Sequence, residues 1–413
     1  MNKSVLIRGA RQLLTLHGPS GPRRGADLNN LGIISDGAML IVNGVIRAVG
    51  SSRRIENLAE ARNAEEIDAH GKVVLPGFVD SHTHLISGPT RFPDSEVGPE
   101  FSSIFKGIQD VPGRTLEIQA WRIIQECIRQ GTTTLEAKSG YGINEPGELK
   151  ILRAQVALNT RLNVLVSTFM GARSSLPPNY DLDLDQYADW LAVEMLPMIH
   201  KRKLAEFVDV FCDEGMFDIR QARRILMAAR ELGFGLKMHA GQFSSRGGVR
   251  LAVELGAVTV DHLTHLDPGD AGVLAQSATI ATLLPGPVFY MDTHRHANAR
   301  AFIDRGVAVA LATNYNPDTC PTHNMQMILC LACRKMEMTP AEAISAATIN
   351  GAHALRRGGQ IGSLEAGKYG DVIILSVPDY REISYHFGVN LVEMTIKRGV
   401  VICRASEVMC PTH

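Results

Sequence analysis

His82 and His84 stand two residues apart in Leu75-Pro-Gly-Phe-Val-Asp-Ser-His-Thr-His-Leu85. Phe78-Val-Asp80 follows a Pro-Gly turn signal and reads as the end of a short buried strand. Residues two apart on a strand point to the same side, so both imidazoles would address one point in space. Two neutral imidazoles at a strand end make half of a site for zinc or a similar divalent ion. The plain alternative is a pair of half-exposed loop histidines.

The elements that would hold such a site repeat along the chain. After Pro76, strand-like runs alternate with amphipathic helical stretches such as 117–130, 220–232 and 246–255. The strand candidates are 74–79, 132–136, 163–168, 207–211, 236–239, 258–262, 280–284 and 307–312. Eight such units predict an α/β fold, a (β/α)8 TIM-type barrel, over residues 76–364. A doubly wound sheet is the alternative, but no GxGxxG turn follows the first strand. Residues 1–75 and 365–413 are strand-rich, with Asn43-Gly44 as a hairpin signal, and are expected to pair into one small β-sandwich domain. Residues 19–30 read as a long exposed loop.

In a barrel the working residues sit at the C-terminal ends of strands. Polar groups fall there in order: His82 and His84, then Glu136, Lys138 and Tyr141, then Arg173, Asp213 and Glu214, His239, His262 and Asn314. His82, His84 and His239 are therefore read together as metal ligands, and Asp213 and Glu214 as structural salt-bridge partners. His17, His200, His294, His323 and His353 are read as core or rim residues. The seven cysteines are too sparse for a disulfide scaffold. Cys330-Leu-Ala-Cys333 lies in an apolar helical run and reads as core.

The chain has 413 residues, 45% hydrophobic and 21% charged, as in a soluble globular protein. A formal charge of −1, from 42 basic and 43 acidic residues, gives no surface for nucleic acid or an anionic membrane. The sequence shows no run long enough for a membrane span and no signal peptide at Met1, so a cytoplasmic location is expected.

Several segments together resemble the metal-dependent amidohydrolases, and within them the imidazolonepropionase branch. They are the His-Thr-His run, Gly131-Thr-Thr-Thr-Leu-Glu-Ala-Lys-Ser-Gly-Tyr-Gly, Ser167-Thr-Phe-Met-Gly-Ala, Gly233-Phe-Gly-Leu-Lys-Met-His-Ala, Ala257-Val-Thr-Val-Asp-His-Leu, Leu284-Pro-Gly-Pro-Val-Phe-Tyr, Leu311-Ala-Thr-Asn-Tyr-Asn-Pro and Tyr385-His-Phe-Gly-Val-Asn. The resemblance covers nearly the whole chain. It implies a barrel, a β-sandwich built from both termini, one divalent metal ion (zinc or iron) and a homodimer. It also implies hydrolysis of a C–N bond in a small anionic cyclic amide or amidine. By the same resemblance His82, His84 and His239 hold the metal and His262 lies beside the bound water. Arg91 and Tyr141 match positions that hold the substrate carboxylate and ring, and Lys138 is either a partner of Glu136 or a substrate contact.

Three positions depart from the family pattern. The strand-eight Asp is Asn314, the Glu three residues after the strand-five histidine is Gln242, and the His of a Gly-Ala-His run is Arg173. Asn and Gln keep the size of Asp and Glu but do not titrate near neutrality. Each change moves the site toward positive charge, and proton transfer would fall to His262 or the substrate. Asn314 and Gln242 would then orient water or substrate by hydrogen bonds, while Arg173 grips an acid or carbonyl group. The departures leave other readings open: non-hydrolytic ring chemistry, a catalytically silent carboxylate binder, or an Asn314 introduced to inactivate the enzyme.

Overall fold

The computed structural model describes residues 4–87, 108–171 and 182–405. Its centre is one eight-stranded sheet in which every neighbouring pair runs parallel and the strands follow chain order. We number its strands β1 (Phe78–Asp80), β2 (Thr132–Lys138), β3 (Leu165–Phe169), β4 (Phe207–Cys212), β5 (Gly235–Ala240), β6 (Thr259–His262), β7 (Ile280–Leu283) and β8 (Val309–Leu311). Helices stand between them, and some have a start written in sequence. Asn144 caps Glu145–Leu162 through Gly147 N–H, and Asp218 with Gln221 forms a reciprocal capping box on Ile219–Glu231. The expected (β/α)8 barrel is therefore present.

The ring closes between β8 and β1 by side chains as well as backbone. Buried Asp80 accepts from Thr313 N at 3.0 Å and from Thr313 Oγ1 at 2.5 Å. Asn314 N donates to His82 O at 3.0 Å, and His84 N donates to Tyr315 O at 2.7 Å. This seam carries the His-Thr-His run and Asn314 together.

Two readings of the sequence are corrected. The run 74–79 is not one strand: Val73–Pro76 belongs to a second sheet, and β1 starts only at Phe78. Gly77 makes the break, because a Cβ there would lie 2.2 Å from Thr133 Cγ2. Residues 19–30 are not simply exposed. Arg23 and Leu28 are buried, Arg24 bridges to Ala308, and the Asn350 amide pairs with both the N–H and the carbonyl of Arg23. The segment packs against the end of the barrel remote from the His-Thr-His run.

The termini interleave. Strands 400–404, 392–397 and 372–375 join Val73–Pro76, 12–14 and 33–34 in a six-stranded sheet. Ser4–Ala10, 37–42, 45–51 and 65–68 form a four-stranded sheet. Ile7, Met39, Val74, Ile374 and Ile396 meet in one apolar cluster drawn from both sheets. Among the described residues no helix is long and apolar enough to cross a membrane. Cys330 and Cys333 lie on the helix Met325–Lys335, Cys330 buried.

Candidate metal centre

Alternation along β1 and its extension turns Asp80, His82 and His84 to the barrel interior, and along β5 it turns Lys237 and His239 inward. His82, His84 and His239 are all buried and offer ligand nitrogens within 4.8 Å of one another. The His82 and His239 rings are 4.4 Å apart between centroids.

Each of these two rings is oriented from behind. His82 Nδ1 is 2.7 Å from Asp261 Oδ2, and His239 Nδ1 is 3.1 Å from Asp209 Oδ1. A carboxylate at Nδ1 fixes the Nδ1–H tautomer and leaves the Nε2 lone pair free. Nε2 of His82 and Nε2 of His239 are buried and accept no hydrogen bond among the described residues. A buried polar atom without a partner is costly unless a ligand completes it. Burial, with the nearby Lys138 charge second, holds the His82 pKa well below its ordinary value, so this ring is neutral, as ligation needs. The donor set fits a divalent ion.

Below the histidines lies a charged layer that sequence reasoning only partly saw. Lys138 Nζ is 3.0 Å from Glu136 Oε2 and 3.6 Å from Asp261 Oδ2, and hydrogen-bonds Asp209 Oδ2. Lys237 Nζ meets Glu136 Oε1 at 2.9 Å and the Ser81 carbonyl at 3.1 Å. All of these side chains are fully buried. Burial opposes charge on Lys138, but Asp209, Glu136 and Asp261 outweigh it and raise its pKa. Burial likewise opposes charge on Asp209, and His239 with Lys138 lowers it again. Burial raises Asp261 against the pull of Lys138 and Lys237. Lys138 is thus an ion-pair partner, not a substrate contact. Glu136, Asp209 and Asp261 place carboxylates directly beneath the three histidines, a negative layer that Lys138 and Lys237 balance. Asp209 and Asp261 were missed as site residues because each is a lone acid in an apolar strand. That isolation is the signal that could have found them, since a carboxylate in a strand core must have a buried partner.

The remaining expected residues distribute as follows. His262 ends β6 in the left-handed region (φ 82°), as does Leu263 (φ 60°), a conformation that costs a non-glycine residue on the order of 1 kcal/mol. The turn ends the strand's alternation, so Asp261 and His262 both serve the site. The His262 ring lies 5.5 Å from that of His82 and 5.2 Å from that of His239. Asn314, also left-handed (φ 55°), is buried with its Oδ1 unpartnered among the described residues. Tyr141 is buried, its ring 6.0 Å from His84 and its hydroxyl donating to Asp318 Oδ2 at 3.3 Å. Gln242 is half-buried and joins through its backbone: its N–H donates to Asp213 Oδ2 at 2.7 Å, and its carbonyl meets His265 Nδ1 at 3.1 Å. Asp213 is therefore structural through backbone hydrogen bonds rather than a salt bridge, and also receives Phe243 N and Ser244 N. Glu214 does pair with Arg246, at 3.4 Å. Arg91 and Arg173 lie outside the described residues.

The Tyr141 loop is held from the next helix. Glu148, buried in the first turn of Glu145–Leu162, accepts from Gly142 N at 2.6 Å and from Gly140 N at 3.1 Å. Its burial pushes the carboxyl pKa up to about 7 against those hydrogen bonds.

Comparison with known proteins agrees with this geometry. The amidohydrolase family model matches residues 73–402. The imidazolonepropionase of Alkaliphilus metalliredigens (strain QYMF) is 41% identical, over 99% of this chain and 100% of that protein. That of Geobacillus kaustophilus (strain HTA426) is 41% identical, over 98% of this chain and 99% of its own length. Among solved structures, the triazine hydrolase of Arthobacter aurescens superposes with a TM-score of 0.78 at 17% identity, over 97% of this chain and 95% of that one. A zinc complex of atrazine chlorohydrolase from Arthrobacter aurescens TC1 superposes with a TM-score of 0.72 at 16% identity, over 97% of this chain and 95% of that one. At such identity these two structures speak for the fold alone. Family model, full-length relatives and the three converging histidines agree: the chain belongs to the amidohydrolase family, in its imidazolonepropionase group.

Proposed function

We propose that this protein is a metal-dependent hydrolase that opens an imidazolone-type ring at a C–N bond of a small carboxylate-bearing substrate. The observation that carries the reading is the pair of buried, unpartnered Nε2 atoms on His82 and His239, each backed by a carboxylate, with His84 beside them. The substrate class is supported by relatives named imidazolonepropionase at about 40% identity over the full chain, which favour hydrolysis over non-hydrolytic chemistry or silent binding. His82, His84 and His239 would hold one zinc or iron ion. When bound, that ion supplies Lewis acidity toward water and the ring carbonyl. His262 accepts the proton of the attacking water and returns it to the leaving ring nitrogen as the C–N bond breaks. Asn314 does not titrate and orients the water by hydrogen bonds, with Gln242 lining the approach. Tyr141, held by the Glu148 clamp, orients the ring, and Arg91 and Arg173 take the acidic groups.

Residues 1–75 and 365–413 form a composite β-sandwich domain around the barrel of 76–364. The pairing of Ile373 with Leu75 supports that division. The protein acts in the cytoplasm, and it acts as a homodimer, an assembly to which the exposed aromatic side chains of Phe289, Tyr290, Tyr385 and Phe387 offer a face.

The test is metal content of the purified protein together with turnover of 4-imidazolone-5-propionate in oxygen-18 water. One zinc or iron per chain, label in the ring-opened product, and loss of both metal and turnover in His82→Ala are expected. Asn314→Asp, which adds a carboxylate donor, should tighten metal binding by about tenfold or more. Full turnover by metal-free protein would sink the reading.

A further inference from the structure

We infer that Lys138 is a positioning residue for the metal site: one buried ammonium holds the two carboxylates that orient His82 and His239, coupling ligands on opposite arcs of the barrel. This rests on the metal-dependent reading above. A lysine ammonium has three donors and no acceptor. The acceptors around Lys138 are Asp209 and Glu136, both in close contact with the ammonium, and Asp261, an ion-pair partner at 3.6 Å. Two of the three are the carboxylates behind the histidines, and Asp261 Oδ2 serves both Lys138 and His82 Nδ1. The path His239–Asp209–Lys138–Asp261–His82 is continuous, and none of its side chains is more than 2% exposed.

The second buried ammonium marks the contrast. Lys237 touches Glu136 and the Ser81 carbonyl, and neither contact carries a histidine. Among the described residues only Lys138 joins both Asp–His pairs. Without its charge, Asp209 and Asp261 would face each other as buried like charges with no donor between them. Their oxygens would turn toward other donors, and both imidazoles would lose the bond that aims Nε2 at the shared point.

The experiment measures zinc affinity of the full chain by competition with a chromophoric chelator, and the visible spectrum of the cobalt-substituted protein. The variants are Lys138→Met, Asp209→Asn, Asp261→Asn and the double Asp209→Asn/Asp261→Asn. Lys397→Met serves as control, because it removes another buried ammonium that pairs with Asp371 and the start of β2 and touches neither Asp–His pair. Lys138→Met is expected to weaken zinc about 10- to 100-fold and to shift the cobalt bands. Lys397→Met should lower the melting temperature and leave both readouts unchanged. The two Asp variants should combine to less than the product of their separate losses, since they share one ammonium. Zinc affinity of Lys138→Met within about twofold of wild type, with an unchanged cobalt spectrum, would overturn the inference. If Lys138→Met does not fold, strictly multiplicative losses in the Asp double variant overturn it. Wild-type protein that takes up neither metal overturns the metal reading itself, an outcome separate from either of these.

Discussion

At the scale of single residues, the site combines groups that the sequence displays with groups that it hides. The three converging histidines are legible because spacing two apart on a strand and position at a strand end are properties of the string. Asp209 and Asp261 are not, because their role depends on which strands stand beside each other around the ring. Glu148 is similarly hidden: in sequence it is one more acid in a helical first turn, and only the fold brings the glycine N–H groups onto its carboxylate. Its behaviour with pH follows from burial. The folded-state pKa of about 7 exceeds the ordinary glutamate value, so the folded state holds the proton more tightly than the unfolded one. That stabilising contribution is complete below about pH 4 and is lost as pH rises toward and through 7. In Glu148→Gln this slope should vanish. Urea denaturation between pH 4 and 8 is expected to show wild type losing about 3 kcal/mol more than the variant across that window. Parallel pH profiles for the two proteins would remove Glu148 as the source.

At the scale of elements, the strand-helix alternation was readable because helix caps and apolar strands are local signals. The boundary between the terminal sheet and the barrel was not. Residues 74–79 form an unbroken apolar run, apart from Pro76 and Gly77, and nothing local says that they feed two sheets. The reason is a contact: Gly77 passes against the Thr133 side chain at the start of β2, where no Cβ fits. Gly77→Ala is therefore expected to cost about 1–3 kcal/mol in unfolding free energy, although alanine is otherwise a mild replacement. Thr133→Ala in the same chain should recover part of the loss, because it removes the two nearest atoms. No recovery in the double variant would mean that the glycine is needed for its backbone alone. The 19–30 segment reads as an exposed loop for a related reason. Its polar and glycine-rich composition is that of a loop, while the backbone N–H and carbonyl of Arg23 within it are satisfied by the distant Asn350.

At the scale of the whole molecule, the terminal sheets and the barrel are joined by a second buried ion pair. Lys397 reaches Asp371 at 2.7 Å and the Thr133 carbonyl at 2.8 Å, tying strand 392–397 to the start of β2. Removing one member leaves a buried charge alone, so Lys397→Met is expected to cost about 3–5 kcal/mol, and Lys397→Met/Asp371→Asn clearly less. Chemical denaturation of the two variants checks this, and equal losses would mean that the pair is not coupled. The seam has a consequence for how the molecule is made. Asp80 and Thr313 lie 233 residues apart in the chain, so the ring can be joined only after nearly all of the barrel has left the ribosome. His82 and His84 stand on that last joint and His239 on the facing arc. An ion held by all three would be a spoke drawn across the wheel, completed only when the ring is joined, so its uptake would belong to maturation as much as to catalysis.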